Sequence, residues 1–197
     1  MKVEKLVDVT DRRIARTHNM LTEALVSLLG KYEWSDINVQ QICDEADIAR
    51  STFYSHFENK QELYDFGFAR LEAHIKNAVA EKATGRSLDG NRKFGFLPEL
   101  LEHIKQHQPI FCNSVTGKAN CISNALVFAK FRTLIFDFIN SEIQASSFAK
   151  TINEQSIIFI FGGIYSLMDA WWVDCTKMPV SQLLDIIDKQ VDRVLAG

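Results

Sequence analysis

Only three prolines and nine glycines interrupt 197 residues, and they are spread along the chain. A sequence with so few breakers, and with no sustained alternation of apolar and polar residues, has little from which to build turns and sheets. It is expected to fold all-α, as long helices joined by short loops. With 47% of its residues apolar and 24% charged, it can bury a core and is not of disordered composition. Its length suits one or two small domains.

The N-terminal run "MKVEKLVDVTDRR" is charged from its second residue and holds no export signal. The longest uncharged stretch, Gln155 to Met168, falls short of the roughly 20 apolar residues that cross a bilayer. The expectation is a cytoplasmic protein with no membrane span. Cys43, Cys112, Cys121 and Cys175 are far apart and form no C-x-x-C pair, which argues for reduced packing residues over a zinc site or disulfide framework. No metal or cofactor is expected. No nucleophile elbow, phosphate loop or dinucleotide fingerprint is present, so the chain does not read as an enzyme.

Ile14, Leu21, Leu25 and Leu28, with Ala24 and Leu29, form one face of a helix over residues 11–30, with Thr10 or Asp11 as its cap and Gly30 at its end. Asn38 and Gln41 form a capping box ahead of Val39, Ile42, Cys43 and Ala46. This short helix stops near Asp47, and another follows from Ala49 to Phe57. Asn59 and Glu62 repeat the box before the long helix "KQELYDFGFARLEAHIKNAVAEK". A polar loop, "ATGRSLDGNRK", precedes helical stretches at about 94–107, 109–116, 119–145, 149–175 and 180–195.

The two short helices around a tight turn have the dimensions of a helix-turn-helix. On a helical wheel Ala49, Phe53 and Phe57 share an inward face. Ser51 and Ser55 lie opposite, flanked by Thr52 and Tyr54, with Arg50 and His56 nearer the edges. Short hydroxyls and an N-terminal arginine suit a helix lying in a DNA major groove, where arginine bonds guanine bidentately. Lys60, in the first turn of the next helix, sits at a natural phosphate site. Asn38, Gln40 and Gln41 are further candidates, and Arg12, Arg13 and Arg16 add possible phosphate contacts. Residues 1–60 nevertheless hold eight Lys or Arg against ten Asp or Glu, so DNA binding requires the positive charge to gather on one face. The alternative is a protein-interaction module derived from a helix-turn-helix.

The run "NVQQICDEADIARSTFYSHFENKQELY" strongly resembles the helix-turn-helix of TetR-type transcriptional regulators, and "ALVSLLGKYEWSDI" resembles the end of that family's first helix. The likeness covers roughly residues 10–66. It implies a homodimer, most simply a repressor, that binds a palindromic double-stranded DNA operator through residues 1–60. Residues 61–197 would dimerise and bind a small-molecule effector that releases the DNA. By the same resemblance Arg50, Ser51, Thr52, Tyr54, Ser55 and His56 are the recognition set, Tyr54 meeting the backbone and Lys60 a phosphate. Two departures stand out: Asp47 where the family has glycine, and Ala49 where it has a capping side chain. The segment "IIFIFGGIYSLMDAWWVDCTKMPVSQLLDII" resembles a paired-tryptophan C-terminal subgroup of that family.

Ile164, Leu167, Leu183, Ile187, Val191 and Val194 are the candidate dimer face, as a two-helix contribution from each subunit, with monomer core as the alternative. Gly162 and Gly163 would suit a neighbouring backbone that comes close. Phe111, Phe128, Phe131, Phe159, Tyr165 and Trp171 are candidates to line a ligand pocket, with His103, His107, Cys112 or Asn113 as its polar groups, although such aromatic stripes also build cores. His103 and His107 have metal-ligand spacing but no third ligand nearby in sequence, and read as solvated surface histidines.

Overall fold

The computed structural model describes residues 2–84, 93–107, 122–146, 150, 152–172 and 177–196. Among them every regular element is a helix: α1 (Lys2–Leu29), α2 (Val39–Ala46), α3 (Arg50–Tyr54), α4 (Lys60–Thr84), α5 (Leu97–Gln106), α6 (Ile122–Ala145), α7 (Glu154–Trp172) and α8 (Val180–Ala196). The expected helix at 109–116, and with it Phe111, Cys112 and Asn113, lies outside the described residues, as do residues 85–92 of the expected loop. None of the described helices is long and apolar enough to cross a membrane.

Local chemistry accounts for several boundaries. Asn38 and Gln41 form the reciprocal box: the Gln41 N–H donates to Asn38 Oδ1 at 3.0 Å and the Asn38 N–H to Gln41 Oε1 at 2.8 Å. Asn59 Oδ1 likewise accepts the Glu62 N–H at 3.0 Å, but Glu62 Oε2 reaches past it to the N–H of Glu58 at 2.6 Å. α1 differs from expectation. It begins at Lys2, so neither Thr10 nor Asp11 caps it, and Ile14 remains 37% exposed. The apolar pattern marks this helix only from residue 11, nine positions after its start.

α1, α2 and α3 pack as one unit through Leu21, Leu25, Ile37, Ile42, Phe53 and Phe57, all buried, and α4 lies against α1. Farther along, α5 contacts α8, α8 contacts α7, and α7 contacts α6. Stacked rings tie these helices together: Phe96 on Phe138 and Phe128 on Trp172, each pair with centroids 5.0 Å apart. Trp171 Nε1–H, also buried, donates to the Met178 carbonyl at 2.8 Å.

Ile164, Leu183, Ile187 and Val191 are buried inside this single-chain core and leave little surface for a partner to meet. Leu167 and Val194 are only partly buried. The α7 face left open carries Ile158 and Phe159, 52% and 68% exposed, and a Cβ added at Gly162 or Gly163 would meet no atom within 4 Å. The run from Ile157 through Trp172 is apolar almost all round, a pattern that does not tell which side the chain itself consumes.

Phe96, the residue just before α5, offers no side-chain cap, and Pro98 sits within the helix's first turn. Glu142 from α6 takes over: its Oε2 accepts the Gly95 N–H at 2.8 Å and its Oε1 the Phe96 N–H at 3.1 Å. Glu142→Ala is expected to cost about 1–3 kcal/mol, because two partly buried N–H groups lose their acceptor. Glu142→Gln, which keeps one oxygen, should cost less, and urea unfolding of the two variants gives the comparison.

Candidate nucleic-acid interface

The turn between α2 and α3 depends on Asp47, the only non-glycine residue with positive φ among those described (φ 52°, ψ 47°). Aspartate is among the few side chains that visit this left-handed region at modest cost. The Ile48 N–H then closes back on the Cys43 carbonyl at 2.9 Å. Ala49 takes an extended conformation ahead of α3 and makes no side-chain cap, so α3 is a short helix from Arg50 to Tyr54, with Ser55 and His56 in the turn that follows. It is held from beneath by Phe53, which is fully buried and meets the Phe57 ring with centroids 5.9 Å apart.

Arg50, Ser51, Tyr54 and Ser55 share the exposed side of this unit. The Arg50 guanidinium lies 5.9 Å from the centroid of the Tyr54 ring, which is itself 50% exposed. Ser55 Oγ donates to the Thr52 carbonyl at 2.7 Å, leaving its lone pairs as acceptors. Thr52 and His56 are half-buried. His56 turns toward α1, where its ring meets His18 edge-on with centroids 5.0 Å apart. His18 also packs on Phe57 and Phe66, and its pKa is lowered by burial first and then by His56 and Arg70. This cluster, joining α1 and α4 to the end of the helix-turn-helix, escaped the sequence reading because His18 gives no local signal of burial.

The flanking candidates have partners within the chain. Asn38 Oδ1 is taken by the capping box, and Gln40 Nε2 donates to Asp44 Oδ1 at 2.6 Å. Glu45 accepts from Ser27 Oγ at 2.6 Å and Lys31 Nζ at 2.9 Å, bonds that lower its pKa in that order of strength. Lys60 Nζ donates to the carbonyls of Trp34 and Ile37 at 2.5 and 2.6 Å and lies 4.5 Å from the centroid of the Trp34 ring. An ammonium has three donors, so one remains for an outside acceptor. Burial lowers the Lys60 pKa.

A cavity of about 410 Å³ opens between α1, α4 and α5, with Phe131 of α6 on its wall. Of the described members of the expected aromatic set, Phe131 lines it and the others do not. Phe128 and Tyr165 pack on Trp172, Trp171 is core, and Phe159 is exposed. His103 and His107 do line it, and they are half-buried rather than solvated, with ring centroids 4.5 Å apart. Among the described residues no group of three metal-ligating side chains forms.

The His103 pKa falls from an ordinary 6.5 to about 4, because burial disfavours the imidazolium and His107 and His74 add repulsion. Between those values the unfolded chain binds a proton that the folded chain refuses. The contribution to stability is therefore complete above pH 6.5 and is lost as pH falls toward 4. Urea midpoints are expected to decline over this window, and His103→Gln should flatten the decline. Identical slopes for both proteins would contradict this role of His103.

Residues 21–65 match the model of the bacterial regulatory proteins of the tetR family. Over 72 residues the chain is 39% identical to the uncharacterized HTH-type transcriptional regulator YxbF of Bacillus subtilis (strain 168). That match covers 36% of this chain and 17% of that protein, so the chain spans about a sixth of its relative's length. Among solved structures, the TetR transcriptional regulator from Streptococcus agalactiae 2603V is similar over 94% of this chain and 98% of its own, at 24% identity and a TM-score of 0.60. The TetR family repressor AlkX from Dietzia sp. strain DQ12-45-1b is similar over 90% and 97%, at 15% identity and a TM-score of 0.51.

Proposed function

We propose that this chain, which has the TetR-type fold and carries that family's helix-turn-helix segment at residues 21–65, is a transcriptional regulator that binds a palindromic operator as a homodimer. The observation that carries the reading is the exposed side of α3. Arg50, Ser51, Tyr54 and Ser55 stand open to solvent on a helix whose opposite side is fixed by the buried Phe53. In this reading residues 1–60 form the DNA-binding unit and residues 61–197 the dimerising and effector-binding unit. Arg50 and Ser51 meet base edges, and Tyr54 and the remaining Lys60 donor meet the phosphate backbone. Thr52 and His56 act mainly by positioning the helix, and Asn38 and Gln40 hold α2 and flank the groove.

Dimerisation uses the open face of α7, around Ile158, Phe159, Gly162 and Gly163, with Leu167 and Val194 as candidates for its margin. Exposed apolar side chains next to glycines with free space above them suit a close helix–helix contact between copies. Repression, relieved by a small molecule, is the proposed sense of regulation, and a cytoplasmic setting follows from it.

Selection of bound fragments from sheared genomic DNA, at two salt concentrations, tests the reading. The expected result is an enriched palindrome whose half-sites lie about 34–36 Å apart and whose retention weakens at high salt. The double variant Arg50→Ala/Tyr54→Ala should lose enrichment while remaining folded. No enrichment by the folded, dimeric protein at low salt would overturn the proposal in favour of a protein-interaction module.

A further inference from the structure

The cavity beside the helix-turn-helix unit differs from an ordinary packing defect in its size, its walls and its position. Its volume of about 410 Å³ lies within the range of sites that hold small organic molecules. Gly67, in the first third of α4, faces α1 there: a Cβ at that position would stand 3.4 Å from Thr22 Cγ2. The two helices meet at that point and leave a crevice along their crossing. Leu25, Leu29, Leu63 and Phe68 supply apolar wall, while Asn19, Arg70, His74, His103 and His107 supply polar groups.

The charges in the lining decide what kind of head group fits. Burial lowers the His107 pKa, and the Glu23 carboxylate on the same lining acts against that shift without overcoming it. Arg70 has no ion pair among the described residues, and its guanidinium rests 5.7 Å from the centroid of the Phe66 ring. An incoming anion therefore finds an uncommitted guanidinium, together with imidazole and amide donors, whereas an incoming cation must share the space with Arg70.

We propose that this crevice between α1, α4 and α5 is an effector site for a small organic carboxylate, its apolar body against the leucines and Phe68 and its carboxylate on Arg70. The inference rests on the reading of the chain as a ligand-responsive regulator. It places the site against the DNA-binding unit itself rather than deep among the later helices. A short physical route leads from it to the DNA-facing side. Arg70 lies on Phe66, Phe66 packs on His18 with centroids 4.7 Å apart, and His18 meets His56 just beyond α3. A molecule wedged between α1 and α4 works on the crossing that this cluster spans. Its differential affinity for the two crossing angles sets how far DNA binding shifts.

Calorimetric titration of the full chain with sodium octanoate, 1-octanol and octylammonium chloride tests the proposal. One octanoate per chain is expected, with octanol bound at least about tenfold more weakly and octylammonium not at all. Arg70→Gln, at an exposed position, should weaken octanoate about tenfold or more and leave octanol unchanged. Asn19→Trp, also at an exposed position on the lining, should obstruct both. No binding of octanoate, binding undiminished in both variants, or octanol and octylammonium bound as tightly as octanoate would each overturn the site.

The operator selected as above is then titrated with and without octanoate. A shift in operator affinity of about 5–150-fold supports the effector role. An operator complex indifferent to bound octanoate overturns that role alone. A protein that binds octanoate through Arg70 but selects no DNA supports the carboxylate site and overturns the regulatory reading.

Discussion

Replacing Phe53 by alanine is expected to cost about 3–5 kcal/mol, the usual range for removing a fully buried phenylalanine from a core. The site has little means of absorbing the loss. Phe53 is completely buried on a helix of only five residues, Arg50–Tyr54, and that helix has no side-chain cap at its start. Without the ring, α3 loses its principal anchor, and its neighbour Phe57 loses a packing partner. The adjacent Tyr54→Ala should behave in the opposite way. Tyr54 is half exposed, so its truncation should change stability by no more than about 0.5 kcal/mol. Both variants should lose operator binding. Urea unfolding monitored by circular dichroism separates them: equal stabilities would mean that the Phe53 ring does not anchor the recognition surface.

The second large effect is expected at the open face of α7. Phe159→Lys places a charge on an exposed position, so the chain should fold as before. In a two-fold dimer built on this face, the new ammonium would lie close to its symmetry mate in an apolar contact. The protein should become monomeric by light scattering. Because linking two binding units typically raises affinity about 10²–10⁴-fold, operator affinity should fall by a comparable factor. Leu183→Lys provides the contrast: Leu183 is buried within the chain, so that variant should misfold instead of dissociating cleanly. A dimer that survives Phe159→Lys with full operator affinity would place the subunit contact elsewhere.

The difference between what the sequence disclosed and what it concealed follows the range of the interactions involved. The Asn38–Gln41 box and the inward Phe53 are settled by residues within a few positions of one another, and local pattern reading finds both, whereas Asp47 stands out only through the family resemblance. His103 and His107 illustrate the opposite case. Their spacing is visible, but their half-burial depends on α1 and α4 lying alongside, which no local pattern encodes. Lys60 stands in the sequence as a helix-terminal cation and is also bonded to two carbonyls more than twenty positions earlier in the chain. The burial of Ile164, Leu183, Ile187 and Val191 within the chain was hidden for a related reason. A helix apolar on several sides announces that it has partners, but the division between internal and external partners is made by tertiary packing. The same ambiguity separates Phe131, which reaches the cavity, from Phe128, which does not.

The bonds from Lys60 to Trp34 and Ile37 have a mechanical consequence. They fasten the first residue of α4 to the segment between α1 and α2, so the start of the long helix has little freedom to pivot by itself. At 1.5 Å per residue the 25 residues of α4 make an arm about 37 Å long. For an arm of that length, a tilt of about 5° corresponds to roughly 3 Å of travel at its far end. In the proposed regulator, small angular adjustments made where α5 and α6 meet the arm would thus reach the helix-turn-helix unit as a rotation of the whole block. In the proposed dimer, two such blocks, swung apart or together, would change their separation without any bending inside either one.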